Sequence, residues 1–368
     1  MQKKIEIYVI IPVYNAVNYL SQAVESVIFQ PYNNIKVILI NDGSVDGSGQ
    51  LCDQLASENE KVIAIHQKNS GVSAARNNGL KYVFSQNHEN KQCYIAFLDA
   101  DDVWCKNVFC KDIIELLSNG YDLIGLQSAT CNGNLTKMMP LNHMDEGEYS
   151  GGKEAFYLHA KQHFAAMLYS SKLIRQYNVR FHEEISYTED KLFQMSCIYL
   201  ANLIYLKNKL FYLYRNNEKS LVHTRNYGIP YFERIINSYF LLDKDMEEYE
   251  TPERGKLTEG KILANIYVMD MADEHFMHFG KKSEFFKVLK SNPEWCRLVE
   301  GEIAGISANK RYLKLCESPI KYIFCMYIKG IIWMLMRKIL RFAPIKKNRD
   351  LRRFPLDTQN VIINEVQK

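Results

Sequence analysis

The run Ile35-Lys36-Val37-Ile38-Leu39-Ile40-Asn41-Asp42-Gly43-Ser44 decides the fold. Six residues dominated by β-branched and aliphatic side chains stop abruptly at a polar turn that contains glycine. A helical pattern follows from about Ser48 to Ser57. An apolar run this short, bounded by turn residues, reads as a strand buried on both faces. The same unit recurs on either side. Upstream, Ile7–Ile11 precedes Ala16–Gln30, whose Leu20, Val24, Val27 and Ile28 share one helical face. Downstream, Val62–His66 precedes a helix over Val72–Phe84, and Tyr94–Leu98 runs into Asp99. Strands of four to six residues alternating with helices predict βα units, an α/β class and a mostly parallel central sheet flanked by helices. In such open sheets ligands bind beyond the carboxyl ends of the strands.

The pattern changes further along. Tyr121–Gln127 and Leu203–Tyr214 read as strands, with helices near Gly152–His159, Ser171–Tyr177 and Glu189–Ala201. After about Gly228 the chain reads as almost wholly helical. A domain over residues 1–225 and a helical C-terminal region over 226–368 are therefore expected.

With 368 residues, 47% hydrophobic and 24% charged, the composition is that of an ordinary globular protein with room for a large core. Nine cysteines without a CxxC pair or neighbouring histidine cluster read as reduced core thiols, which fits a cytoplasmic protein. The charged start Met1–Glu6 leads directly into an apolar strand and reads as no signal peptide. Charge is unevenly placed. Residues 318–353 hold ten basic side chains and one acid, Asp350, a net +9 against +4 for the whole chain. That leaves a mildly acidic body with a basic, apolar tail. Its large aliphatics favour an anionic membrane surface over nucleic acid as partner. Lys321, Lys329, Arg337, Lys338 and Arg341 interrupt the tail too often for a spanning helix of about 18 apolar residues. A helix lying on the membrane is the preferred reading, and one that covers an apolar face of the first domain is the alternative.

Four segments carry the chemistry, each at a strand end or helix entry. Ile10-Ile11-Pro12-Val13-Tyr14-Asn15 is a strand expected to break at Pro12, with an aromatic at its mouth. Ile40-Asn41-Asp42-Gly43-Ser44 ends the next strand in an acid followed by glycine. Asn69-Ser70-Gly71-Val72-Ser73-Ala74-Ala75-Arg76-Asn77 enters a helix carrying one arginine. Phe97-Leu98-Asp99-Ala100-Asp101-Asp102 sets three carboxylates after a hydrophobic strand. On an extended backbone, Asp99 and Asp101 would point to one side. Such neighbours repel unless a cation lies between them, and hard oxygens suit Mg²⁺ or Mn²⁺. Taken singly, each acid is equally a turn former or helix cap, with Asp102 the foremost candidate for that role.

Together the four segments resemble the family 2 glycosyltransferases, inverting enzymes of the GT-A fold, over about Ile7–Asp102 and more loosely to Ser220. The resemblance implies a nucleotide-sugar donor, usually a UDP-sugar, and a divalent metal, Mn²⁺ or Mg²⁺. It places Pro12 and Tyr14 against the nucleobase, Asp42 on its ring nitrogen, and Arg76 near the base or diphosphate. Asp99 would meet ribose or metal, and Asp101 the metal. With those two acids engaged, the family's Glu-Asp pair falls on Glu189 and Asp190, with Asp190 as the base that takes the acceptor hydroxyl proton and Glu189 orienting the acceptor. Thr188 is expected to cap the helix they begin. The stretch from Tyr212 to His223 resembles the family's Tyr-Arg…Ser segment. There Arg215 or His223 would stabilise the leaving diphosphate, and His223 is alternatively a metal ligand.

The expected function is transfer of a single sugar to a hydroxyl of a glycan or lipid-linked glycan, in bacterial exopolysaccharide, capsule or other surface-glycan assembly, at the inner face of the cell membrane. A nucleotidyltransferase would carry a glycine-rich basic loop where Pro12-Val13-Tyr14-Asn15 stands. A processive synthase would carry Gln-x-x-Arg-Trp, yet none of Trp104, Trp295 and Trp333 follows an arginine. From another class, the chain could be a catalytically silent membrane-bound scaffold, which retention of Asp42, Asp99, Asp101 and Asp190 together disfavours.

Overall fold

The computed structural model describes residues 4–86, 88, 91–132, 135, 138–140, 146–150, 163–185, 188–215 and a few positions between 241 and 291. The helix expected near Gly152–His159, His223, the helices expected after Gly228 and the basic segment 318–353 lie outside the described residues. The chain divides into two units, Met1–Arg225 with Thr358–Lys368, and Asn226–Asp357. The architecture below belongs to the first.

Strands β1 (Lys4–Val13), β2 (Ile35–Asp42), β3 (Val62–Gln67) and β4 (Lys91–Phe97) alternate with helices α1 (Leu20–Ile28), α2 (Ser48–Glu58) and α3 (Val72–Ser85). They form a parallel half-sheet in the order β3-β2-β1-β4. Strand order reverses direction across β1, so the crevice between the ends of β1 and β4 is the topological switch point. Beyond β4 the sheet is mixed. β9 (Met167–Ser170) runs antiparallel to both β4 and β6 (Leu123–Cys131), β6 runs parallel to β10 (Leu203–Arg215), and β5 (Val103–Trp104) closes the row antiparallel to β10. Short strands β7 (Met138–Pro140) and β8 (Gly147–Ser150) pair with β6 and β10. Helices α4 (Lys111–Ser118), α5 (Ser171–Gln176) and α6 (Glu189–Leu200) complete the unit. Among the described residues no helix is long and apolar enough to cross a membrane.

Two expectations are corrected. β1 does not break at Pro12 but runs to Val13. Its pairing with β4 ends at Ile10, whose carbonyl accepts the Leu98 N–H, and Pro12 faces that same side two residues on. The missing proline N–H therefore falls where no strand needs it. β4 in turn stops at Phe97, and Asp99–Asp102 form a turn closed by the Asp102 N–H on the Asp99 carbonyl at 3.0 Å. The extended geometry expected to align Asp99 and Asp101 is absent; the turn gathers them instead.

Two packing features set the site. Gly79 lets α3 lie close on β1, since a Cβ there would sit 2.5 Å from Ile10 Cγ2. Phe97, the last residue of β4, lies within 4.9–5.8 Å of the rings of Phe164, Tyr169, Phe181 and Phe193. Phe181 and Phe193 stack face to face at 4.1 Å. This aromatic hub fixes the start of α6 beside the end of β4, across more than ninety residues of sequence.

Candidate active site

The loops after β1 and β2 are laced together by side chains. Asn15, in the left-handed region at φ 51°, donates its N–H to Ser44 Oγ at 3.1 Å, and its Oδ1 accepts the Val45 N–H at 2.9 Å. The Ala16 and Val17 amides donate to Ser48 Oγ and Asp46 Oδ2 at 2.9 and 3.2 Å. These donations occupy the residues expected to open α1, which starts at Leu20 rather than Ala16. Tyr14 stands at the rim, 53% exposed, an aromatic face open to a planar ligand.

Asp42 is buried at the end of β2. Its Oδ1 accepts the Ser70 N–H at 2.7 Å and Gln67 Nε2 at 2.9 Å, and its Oδ2 accepts the Gly71 N–H at 2.8 Å. A carboxylate has about four acceptor positions, so one remains for a ligand. Gly43 takes φ 69°, and a Cβ there would lie 2.8 Å from the Asn69 amide nitrogen, so the turn after β2 requires glycine.

In the acidic turn, Asp101 is raised to about 6, first by burial and then by the neighbouring charge of Asp99. Asp102 serves structure. Fully buried, it accepts the Tyr212 hydroxyl on one oxygen and the Arg215 N–H on the other at 2.7 Å, and burial raises its pKa strongly. Arg215 holds the same turn from outside. Its Nε donates to the Asp101 carbonyl at 2.7 Å, one terminal nitrogen donates to Gln22 Oε1 at 2.8 Å, and its plane lies 5.1 Å from the Tyr19 ring. The residue expected to meet the leaving group thus fixes the backbone under Asp101.

Arg76 reaches across the site. Buried on α3, it donates to Asp99 Oδ1 at 2.9 Å and to Glu189 Oε1 at 3.1 Å, over the faces of Phe164 and Phe181. Burial works against its charge, but Asp99, Glu189 and Asp190 outweigh it and raise the guanidinium pKa. Glu189 is raised in turn by burial and by Asp190, despite Arg76. Asp190 is half-buried, and its Oδ1 accepts the N–H of Lys191 at 2.7 Å. The expected Thr188 cap is not made. Thr188 sits in the left-handed region at φ 66°, ψ 7°, with no side-chain bond to the helix end. A β-branched residue there is strained, and such strain is concentrated at functional sites.

One residue escaped the sequence reading. The His163 ring packs tilted against the Tyr212 ring, with centroids 4.9 Å apart and planes at 34°, and its buried Nδ1 has no hydrogen-bond partner among the described residues. Burial lowers its pKa while Asp99 and Asp190 act in the opposite direction. Nothing nearby in sequence distinguishes this histidine from a core residue.

The donor set fits a hard divalent cation. Asp99 and Asp101 offer carboxylate oxygens, and Asp101 carries repulsion that a cation would relieve. No group of three or more potential ligands gathers among the described residues. A cation held by two carboxylates would therefore draw the rest of its shell from phosphate and water, as magnesium-like ions do.

Comparison with known proteins identifies the family and the fold. Residues 8–178 match the family model described as Glycosyl transferase family 2. Glycosyltransferase GlyA of Streptococcus pneumoniae is 31% identical over 388 residues, covering 98% of this chain and 52% of that protein. The minor teichoic acid biosynthesis protein GgaA of Bacillus subtilis is 30% identical over 256 residues, covering 63% of this chain and 52% of its own. The chain thus spans about half the length of each relative. The crystal structure of S. aureus TarS 1-349 in complex with UDP-GlcNAc superposes with a TM-score of 0.60 at 16% identity, over 80% of this chain and 81% of that one. The sheet order is that of the GT-A fold, and residues 8–178, from within β1 to just past α5, form a Glycosyl transferase family 2 domain.

Proposed function

We propose that the chain is a metal-dependent, inverting glycosyltransferase that moves one sugar from a UDP-sugar to an acceptor hydroxyl in bacterial surface-glycan assembly. One observation carries this reading. Arg76 bridges Asp99, at the end of β4, and Glu189, at the start of α6, so a nucleotide-binding edge and a pair of acids meet at one crevice. The surface-glycan context rests on the likeness to GgaA, and the UDP-sugar on the likeness to TarS.

The chain's own residues divide the work. Tyr14 covers the face of the base, and the free acceptor position on Asp42 takes the hydrogen of its ring nitrogen. Asp99 and Asp101 would hold Mn²⁺ or Mg²⁺, which supplies charge neutralisation at the diphosphate. Arg76 keeps Asp99 and Glu189 apart yet paired, while Arg215 and Tyr212 fix the turn that presents Asp101. Asp190 takes the proton of the acceptor hydroxyl as the new bond forms, on the side opposite the departing diphosphate, which inverts the anomeric carbon. The acceptor is a glycan or lipid-linked glycan, met at the inner membrane surface through residues 318–353.

The test is a panel of UDP-sugars assayed for binding and for transfer or hydrolysis, with Mn²⁺, Mg²⁺ or EDTA. Activity should vanish in EDTA and fall by orders of magnitude in Asp101→Asn. Full turnover in EDTA would remove the metal from the mechanism. No binding of any UDP-sugar would remove the donor assignment.

A further inference from the structure

His163 stands where the proposed function leaves one ligand group without a protein partner. The nucleobase end is served by Tyr14 and Asp42, the diphosphate end by Asp99 and Asp101, and the acceptor end by Glu189 and Asp190. A sugar joining diphosphate to acceptor must lie between Asp99 and Asp190. His163 is tied to that span from two sides. Its ring rests on Tyr212, whose hydroxyl oxygen accepts the Asp99 N–H at 3.4 Å. Its chain neighbour Phe164 lies under the Arg76 guanidinium that grips Asp99 and Glu189. Both Asp99 and Asp190 act on it electrostatically.

The imidazole is poorly explained as a core residue. A buried histidine normally spends its ring nitrogens on carbonyls or carboxylates, and an orphaned buried polar atom is a rarity that marks strain, an unseen ligand or a functional role. Here Nδ1 is orphaned, while the rings of Tyr212 and Tyr214 lie 4.9 and 6.2 Å from the imidazole. Burial keeps the ring neutral, which suits a hydroxyl and not a phosphate, for which a permanent cation would serve better.

We propose that His163 reads the transferred sugar, its imidazole forming a hydrogen bond with a hydroxyl of the donor hexose between Asp99 and Asp190. The inference rests on the UDP-sugar reading above. It makes His163 a specificity-determining residue that contributes to sugar binding and not to nucleotide binding.

Calorimetry with UDP, UDP-glucose, UDP-galactose, UDP-N-acetylglucosamine and UDP-N-acetylgalactosamine separates the two contributions. His163→Phe keeps a ring against Tyr212 and removes both nitrogens. It should bind UDP within about two-fold of wild type and lose about 5- to 10-fold in affinity for the preferred UDP-hexose, the worth of one neutral hydrogen bond. His163→Asn, which can return a polar atom near Nδ1, should recover part of that loss. If His163→Phe does not fold, His163→Leu is read for the same ratio. An unchanged ratio of UDP-hexose to UDP affinity overturns the assignment, as does equal loss of both ligands in every variant, which marks a packing role. Wild type that binds UDP but no hexose conjugate overturns it too. Wild type that binds no nucleotide at all overturns the donor reading itself, a failure visible without any variant.

Discussion

The two edges of the parallel half-sheet treat buried acids in opposite ways. At the amino-terminal edge Glu6, buried in β1, receives Lys91 Nζ at 2.9 Å and lies 3.3 Å from His88 Nδ1. Burial alone would raise its pKa, but these partners more than offset it and the net shift is downward. At the carboxyl-terminal edge Asp101 and Glu189 are shifted upward, because burial and neighbouring acids outweigh what Arg76 and Arg215 return. The same sheet therefore completes its electrostatics where it only has to be stable. It leaves them incomplete at the edge where the proposed cation, donor and acceptor would bind. Carboxyl groups shifted upward at one edge, with none so shifted among the described residues of the other, are a physical pointer to the functional edge.

The largest expected effect is at the incomplete edge. Asp190→Asn keeps the shape of the proposed base but cannot take a proton, so turnover should fall by about 10²–10⁴ with UDP-sugar affinity within a few-fold. A helix-terminal charge with no chemical role would cost under about 1 kcal/mol of stability and little rate. Near-wild-type turnover would move the base to Glu189. A product of retained configuration would break the inverting reading altogether.

Next comes the bridge. Arg76→Met leaves Glu189, whose side chain is 12% exposed, without its cation and should destabilise the protein by about 3 kcal/mol in urea or guanidinium unfolding. Adding Glu189→Gln to that variant should recover part of the loss, because the stranded charge is gone. A cost below about 1 kcal/mol in Arg76→Met would show that the two acids do not depend on the guanidinium.

The smallest effect belongs to the completed edge. A carboxyl whose pKa is lowered on folding contributes stability above its unfolded value, near 4.5, and that contribution is lost as the pH falls through the folded value. Glu6→Gln should thus cost about 1 kcal/mol at pH 7 and progressively less as the pH is lowered below 4.5, with activity unchanged. A cost that persists unaltered at pH 3 would assign the effect to packing and weaken the contrast between the edges.

Legibility in the sequence follows the same division. The parallel half was readable because each strand is buried on both faces and appears as a continuous apolar run. β2, β3, α2 and α3 lie within a residue or two of their expected bounds. β1 and β4 begin three residues earlier than their apolar runs, since Lys4–Glu6 and Lys91–Cys93 pair with each other through backbone bonds that side-chain character does not announce. Asp42, Asp99 and Asp101 stand out because acids at strand ends break an apolar background, whereas Glu189 and Asp190 come only with the family resemblance. The rest depends on contacts between distant segments. β9 has four residues and exists because β4 and β6 flank it. The roles of Arg76 and Arg215 depend on carboxylate and carbonyl partners twenty or more residues away. His163 acquires meaning only from Tyr212, forty-nine positions on.

Gly79 has a consequence for anyone redesigning this protein. Replacing a helical glycine by alanine is ordinarily a stabilising change, since it restricts the unfolded chain. Gly79 lies three residues after Arg76 on α3, and an added methyl would collide with Ile10. Alanine there would push α3 off β1 and carry Arg76 away from Asp99. The glycine acts as a shim of zero thickness that sets how deep the arginine sits, and a thermostabilisation library built on helix propensity would select against the enzyme's own alignment at this position.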